Sequence, residues 1–578
     1  MSGGLYRSAN ATQGGGVPPD DGATFISAEP PAVEATAAPQ EQVAESSAAA
    51  NSAIMALGSL VSRGTGFVRN LMIGAALGNV VGNVYTTAQF LPNQVYEFLL
   101  GGVLTSVLIP VLVRRSKSDP DRGQAYAQRL LTLAVLALAV AVGLALLSAP
   151  VLTRLYAGGG GDDDYNGLVT KLSLLMLPML FFTGLSALIA AVLNTRGHFA
   201  APMWAPILNN LVVIATLGLY ILVYGARALD PADMGIGQIV LVGGGTLLGV
   251  AVQAMGLLPA LRKVGFRWKL RFDFGKLGLA EVAKLGGWMF CYVAVNQLGL
   301  FVVVNLLSRA AGENAAGLLI YNNVFLLLMM AHGIIAVSII TALMPRMSAA
   351  AADGRLRDLV ADLSRGARMI SAVLAPIAVC YAVLAGPISV VVFRYGAFTG
   401  ENAVATSVVL LAAAVALVPF AISQLFTFAF YALPDTRTPA LVNIPVVALR
   451  VLVQVGLFLA FSATFAAAGM MIGNAVSYVA AAIVSAMLLR PRVGRIGLGE
   501  IMRTLGKVLV AAIGAALVGL LVVNLLPGDP GSLSWAAAAV RLAVGGAAIA
   551  LTYLGLAMLL RIREITEVVG MVRRKLGR

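Results

Sequence analysis

Charge, histidine and cysteine are scarce in this chain. Only 11% of its 578 residues are Asp, Glu, Lys or Arg, against about 25% in soluble domains, and it holds two histidines and two cysteines. Too few charges remain to cover a water-exposed surface, which excludes an ordinary soluble globular fold. Cys291 and Cys380 both fall in apolar stretches, which implies packing residues and neither a disulfide framework nor a metal site. No phosphate-binding loop occurs; Gly243-Gly244-Gly245 lies inside apolar sequence, where small residues let helices approach closely. The chain therefore cannot hydrolyse ATP by itself, and its energy must come from membrane potential, an ion gradient or consumption of product. No basic n-region and apolar h-region precede the first hydrophobic stretch, so no signal peptide is expected.

Hydrophobic residues, by contrast, make up 59% of the chain, and the mean hydropathy is +0.89. Crossing a bilayer takes about 20 apolar residues per helix. Fourteen such stretches are centred near residues 65, 100, 138, 182, 213, 248, 295, 330, 378, 418, 450, 478, 514 and 548. The expected fold is an all-α polytopic membrane protein with 14 transmembrane helices, numbered here as segments 1 to 14.

The loops test that count through the positive-inside rule. Of the 40 Lys and Arg residues, 31 fall on the two tails and the even-numbered loops; the opposite loops hold Arg154, Lys171, Arg227, Arg309 and Arg394. Arg63, Arg69, Arg450 and Arg541 remain inside segments. Both termini are thus expected in the cytoplasm. The net charge of +14 is accounted for by orientation and attraction to anionic membrane lipids, and no nucleic-acid partner is expected.

Residues 1–50 are rich in Ala, Gly, Ser, Pro and Glu without hydrophobic periodicity and read as a disordered cytoplasmic tail. Beyond them the chain repeats itself. Leu108-Ile109-Pro110 after segment 2 recurs as Leu343-Met344-Pro345 after segment 8, an offset of 235. Arg154-Leu155-Tyr156 recurs as Arg394-Tyr395-Gly396 at 240, and Asn194-Thr195-Arg196 as Asp435-Thr436-Arg437 at 241. Each pair occupies one topological position, so residues 51–265 and 266–495 are expected to form two parallel six-helix repeats flanking a central cavity and rocking to give alternating access. Residues 496–560 add segments 13 and 14, and residues 561–578 form a basic amphipathic cytoplasmic tail in which Ile562, Ile565, Val569, Val572 and Leu576 recur at helical spacing.

Arg63 and Arg69 carry the functional signal. An arginine near the middle of a membrane helix costs roughly 3 kcal/mol on insertion scales, so these two must face a wet cavity or an anionic partner. A guanidinium stays charged in low dielectric and matches phosphate oxygens bidentately. A spacing of six turns Arg69 about 120° from Arg63 on an unbroken helix; Gly64 and Gly66 between them could bend or unwind it, and snorkelling to headgroups is the alternative for each arginine. Arg450 in segment 11 could line the cavity or pair with a helix carbonyl. His332 could titrate in a coupled cycle or sit neutral and hydrogen-bonded. Glu97 could pair with a cavity arginine, take part in proton coupling, or lie at headgroup level. Asn296, Gln297, Asn305 and Asn443 could supply oxygens to Na⁺ or bond between helices. Coupling to Na⁺ or H⁺ stays unassigned, and no other cofactor is expected.

Ser62-Arg63-x-x-Gly66-Phe67-x-Arg69, Leu91-Pro92-Asn93, Pro110, Leu193-Asn194-Thr195-Arg196, Pro206-Ile207-Leu208-Asn209-Asn210, Leu343-Met344-Pro345, Tyr395-Gly396-x-Phe398 and Thr436-x-Thr438-Pro439 occur in this order. Together they resemble the MurJ/MviN family of lipid II flippases, within the multidrug/oligosaccharidyl-lipid/polysaccharide exporter superfamily, over about residues 52–560. The resemblance implies export of the undecaprenyl-diphosphate-linked peptidoglycan precursor from the inner to the outer leaflet of the bacterial plasma membrane, with Arg63 and Arg69 as cavity arginines that bind the diphosphate. It also implies that segments 13 and 14 wall a groove for the lipid tail, and it makes cell-wall synthesis enzymes potential partners. The chain departs from the family pattern at Asn83, which stands where other members have an acidic residue, and at Tyr96, Gly101, Leu326 and Met329, which stand where other members have charged ones. Two other functions compete: a flippase for another polyprenyl-linked saccharide or a drug/cation antiporter of the same superfamily, and a non-transporting cell-wall scaffold. An antiporter would place carboxylates in its cavity, and a scaffold has no use for costly buried arginines.

Overall fold

The computed structural model describes residues 39–98, 111–112, 115, 119–121, 123–157, 163–277, 279–311, 317–494, 496–526 and 533–567. Residues 1–52 and 53–578 form separate units, and the account below concerns the second. Of the expected N-terminal tail, residues 1–38 lie outside the described residues; from Pro39 onward the chain is helical, as its alanine-rich composition favours. Positions 101 and 110 also lie outside the described residues.

Segments 3 to 14 appear as helices in the expected order: Gln124–Ala157, the bent pair Asp163–Met176 and Met179–Thr195, Ala200–Tyr224, Ile236–Lys263, Leu279–Ala311, Leu318–Ala352, Leu356–Val383, Gly400–Ala432, Arg437–Ala460, Ala466–Val493, Leu498–Leu525 and Trp535–Leu559. Segments 1 and 2 share the helix Pro39–Tyr96, which breaks at Gly78. Among the described residues, then, 12 spans are counted when the bent pair is taken as one, and the shared helix makes this compatible with fourteen. Many outward side chains are large and apolar, with Leu147 83% and Leu222 84% exposed. This is the surface of a protein solvated by lipid.

Proline and glycine set the breaks. Segment 4 bends by 41° next to Pro178, because proline removes one backbone donor and crowds the preceding turn. Gly78 adopts φ +72°, ψ −166°, a conformation open to glycine and costly for residues with a Cβ. The Gly64 to Gly66 stretch, whose glycines could allow a bend, is helical without interruption. The break sits at Gly78, whereas Gly66 lies in the helix against the Asn210 amide.

The two halves use the same packing. Segment 6 contacts segments 4 and 5, as segment 12 contacts segments 10 and 11. Asn210 of segment 5 lies against Gly66 of segment 1, and its Nδ2 donates to the Ser62 carbonyl at 3.1 Å and the Thr65 hydroxyl at 3.0 Å. The equivalent place in the second half, again about 240 residues on, has Arg450 of segment 11 against Gly299 of segment 7. The repeated loop motifs act as clasps: Arg196 donates to the Val264 carbonyl at 3.0 Å and lies over Phe266, while Arg492 pairs with Asp435, donates to Thr438 Oγ1 at 2.8 Å and lies over Phe430.

Segments 13 and 14 pack tightly together. A Cβ on Gly514 would collide with Leu556, and one on Gly519 with Ile549. Two apolar grooves lie between segments 10 and 12 at Val415 and Val476, and between segments 10, 12 and 13 at Ile422, Val479 and Met502. Segment 14 lines neither of these grooves. Arg541 of segment 14 donates to the Leu526 carbonyl at the end of segment 13, a favourable place for a cation. After segment 14, Ile562 and Ile565 are buried in the protein core, so this part of the tail docks on the protein instead of lying on the membrane surface. Arg365–Glu567 and Arg368–Glu564 ion pairs hold it there. Positions 569, 572 and 576 lie outside the described residues.

Candidate functional site: a cavity between the halves

At one end the halves are joined backbone to backbone. The break at Gly78 leaves the Ala75 carbonyl without its helical donor, and the Ala397 N–H, from the turn after segment 9, donates to it at 2.8 Å. Gly396, at φ +56°, comes so close that a Cβ there would strike the Ala75 oxygen. A Cβ on Gly78 would lie 3.3 Å from the Ala397 oxygen and 3.4 Å from Ala228 Cα. Thus the turns after segments 1, 5 and 9, which alternate loops place on one side, meet at one end. Asn83 reinforces the junction: its Oδ1 accepts from the Leu319 N–H at 2.8 Å, capping the start of segment 8. Asn83 is almost wholly buried and bonds backbone instead of facing the cavity.

Below this seal, segments 1, 2 and 8 enclose a cavity of about 340 Å³. Arg69 lines it together with Asn70, Thr86, Gln89, Asn93 and Asn322. No carboxylate is among the lining residues. Leu326 and Met329 form part of its apolar wall. Arg69 Nε is buried and lacks a hydrogen-bond partner. Desolvating such a donor without pairing it costs roughly 1–3 kcal/mol, and an anion in the cavity would remove that cost.

Arg63 sits apart from this lining and against Gly333, where a Cβ would overlap its guanidinium. Gly333 belongs to the wide turn His332–Ala336 within segment 8, a local widening of a kind frequent at functional sites. Asn322, Leu326, Met329 and Gly333 follow one another at three- and four-residue spacing, so both arginines meet one face of segment 8, roughly two turns apart. Their 120° separation on segment 1 does not prevent this, because each extends a long side chain toward that face. Glu97 lies one turn beyond Asn93 on segment 2 and is half-buried. Arg63, Gly333 and Glu97 are each displaced along their helices from the cavity lining toward the Lys/Arg-rich end.

The remaining candidates are not brought to this cavity. His332 is buried against Phe420, with ring centroids 4.3 Å apart, and its Nδ1 is unpartnered. Arg450 lies on Gly299 inside the second half, within electrostatic reach of Tyr292, Tyr321 and Tyr478. Asn296 donates to the Tyr292 carbonyl of its own helix at 2.9 Å, and Asn305 to the Leu155 carbonyl at 2.7 Å. Among the described residues no cluster of His, Cys, Asp and Glu could hold a metal ion. Both cysteines are free and half-buried. Of the uncharged polar lining residues, Asn70, Thr86, Gln89 and Asn322 were not assigned to the cavity from sequence, and Asn93 appeared only within a motif. Thr86, Gln89, Asn93 and Glu97 recur at three- and four-residue spacing along an apolar helix, and that stripe is the signal that reveals them.

A sequence profile described as lipid II flippase MurJ matches residues 73–538. A lipid II flippase of Burkholderia cenocepacia is 28% identical over 399 residues, covering 67% of this chain and 74% of that one. Among solved structures, a lipid II flippase in an inward closed conformation gives a TM-score of 0.67 at 17% identity, covering 91% of this chain and 99% of that one. An inward-facing multidrug resistance MATE transporter of the MOP superfamily gives 0.56 at 15% identity, covering 74% and 94%.

Proposed function

The chain belongs to the lipid II flippase MurJ family, and on that premise we propose that it translocates the undecaprenyl-diphosphate-linked peptidoglycan precursor across the bacterial inner membrane by alternating access. The observation that carries this reading is Arg69, a cation with an unpartnered buried donor in a cavity walled by uncharged polar groups. A diphosphate supplies the missing acceptors and the compensating charge, while the amides are suited to sugar hydroxyls and peptide groups. The cavity of about 340 Å³ has room for a diphosphate and part of the attached headgroup, and the remainder would extend toward Arg63 and Glu97, which we take as the mouth. The prenyl chain stays in apolar surroundings, and the grooves along segments 10, 12 and 13 offer it a shallow channel. With both termini cytoplasmic, as the loop charges favour, the sealed end is the outer one and the mouth opens inward. The protein acts as a carrier with no catalytic step of its own, and the inside-negative potential favours export of an anionic headgroup by about 2.3 kcal/mol per charge per 100 mV.

Translocation of fluorescent lipid II in proteoliposomes tests this. Arg69→Ala removes charge-assisted bonds worth about 1.5–3 kcal/mol, and transport is expected to fall by one to two orders of magnitude. Arg69→Lys keeps the charge but loses the planar fork, giving an intermediate rate. Wild-type protein that moves no lipid II, or an alanine variant of full activity, overturns the assignment.

A further inference from the structure

A second polar pocket, of about 390 Å³, lies at the Lys/Arg-rich end between the start of segment 13, segment 9 and the turn after segment 14. It brings together Arg368, Arg503, Lys507, Arg561 and Arg563 with two carboxylates, Glu500 and Glu564. Both carboxylates are engaged by Arg368, at 2.6 and 2.7 Å. Lys507 Nζ donates to the Leu560 carbonyl at 2.8 Å, which leaves two of its three donors over. Among the described residues the guanidiniums of Arg503, Arg561 and Arg563 have no acceptor. Five cations therefore converge on two carboxylates, which leaves an excess of three positive charges. Arg561 holds φ +51°, an uncommon conformation for a residue other than glycine. Its turn buries Ile562 in the core while leaving Arg561 and Arg563 at the pocket.

We propose that this pocket binds the phosphate of an anionic phospholipid headgroup from the membrane leaflet at that end. The pocket sits where the apolar runs of segments 13 and 14 stop, at Val508 and Leu559, which is headgroup level. Exposed apolar side chains continue the helix face of Arg503 and Lys507 into the membrane: Val510 is 56%, Leu517 63% and Leu521 60% exposed. Acyl chains lying on these side chains would carry a phosphate into reach of the cations; a free phosphate ion has no use for them. Basic pockets between membrane helices recognise lipid headgroups in this way. The lipid would bridge segments 13 and 14 and the docked tail to segment 9, fastening the two extra helices to the second half. The proposal does not depend on what the central cavity carries.

The test compares full-length wild-type protein with the triple variant Arg503→Gln, Arg561→Gln, Arg563→Gln, and with a control of equal charge loss at the same end, Arg262→Gln, Lys263→Gln, Arg267→Gln. Purified proteins are titrated with short-chain phosphatidylglycerol and with phosphatidylcholine, and binding is read from lipid-bound peaks in native mass spectrometry and from the thermal melting midpoint. Wild type and control are expected to retain phosphatidylglycerol preferentially and to be stabilised by it. The pocket variant should bind it about fivefold more weakly for each arginine removed, if each contributes as a cation near a charged surface does. Equal retention of both lipids by wild type, or equal losses in the pocket and control variants, would overturn the proposal. Inorganic phosphate that stabilises wild type as strongly as phosphatidylglycerol would identify a soluble anion as the ligand and overturn the lipid assignment.

Discussion

Gly396→Ala is the sharpest perturbation of the seal between the halves. At φ +56° an added methyl carries a left-handed strain of about 1–2 kcal/mol, which persists in any state that keeps the turn. The added Cβ also runs into the Ala75 carbonyl oxygen, a backbone atom held in a helix end that cannot swing aside. The Ala397 N–H to Ala75 bond, 2.8 Å long, must then open, at a net loss of about 1 kcal/mol plus a further 1–2 kcal/mol for a carbonyl left unpaired away from water. The part specific to the sealed state is thus about 2–3 kcal/mol, a shift of the conformational equilibrium by roughly 30- to 150-fold. Spin labels at Asp230 and Glu401, in a background without Cys291 and Cys380, report this end by pulsed electron paramagnetic resonance. A longer distance population should appear in Gly396→Ala. Gly354→Ala supplies the control, since Gly354 has φ +71° but open space around it; it bears the strain without the clash. If the Gly396 variant folds and keeps the wild-type distance distribution, the backbone seal does not hold this end closed.

Three further outcomes follow from the same geometry. Gly333→Ala must displace the Arg63 guanidinium, so it is expected to cut lipid II transport about as much as Arg63→Ala does, and the double variant should be no worse than either single one; additive losses would show that the two residues act separately. Asn83→Ala removes the cap on segment 8 and should lower stability by about 0.5–2 kcal/mol, measured as a lower unfolding midpoint in detergent, whereas an unchanged midpoint would mean the cap contributes nothing. Burial alone would raise the Asp435 carboxyl, but bonds from Thr438 and the Arg492 guanidinium outweigh it and hold the group at about 2. With an unfolded value near 3.9, its contribution is complete above about pH 5 and fades as pH falls through 4 toward 2. Melting curves of Asp435→Asn should lack that component, and an identical acid dependence in both proteins would count against the clasp.

The membrane assignment, the order of the spans, the two repeats and the singling out of Arg69, which lines the cavity, were legible in the sequence because each is written in one dimension. A bilayer demands a fixed length of apolar residues, alternating loops carry a countable charge, and duplicated halves leave motifs at a constant offset. Even the clasps involve the repeated loops, since Arg196 lies in one and Asp435, the partner of Arg492, in the other. What the sequence did not disclose depends on which helix faces which. Asn83 and Asn93 are the same residue type ten positions apart on one helix, yet one caps segment 8 and the other lines the cavity, because only packing decides where an amide points. Gly64, Gly66 and Gly78 are likewise equivalent as letters. Only at Gly78 does the helix break against the opposite half, where the absent side chain leaves room for a hydrogen bond between halves. The site of Arg63 was hidden for the same reason: the residue that makes room for it, Gly333, lies 270 positions away, and contacts at that separation are set by the tertiary fold alone.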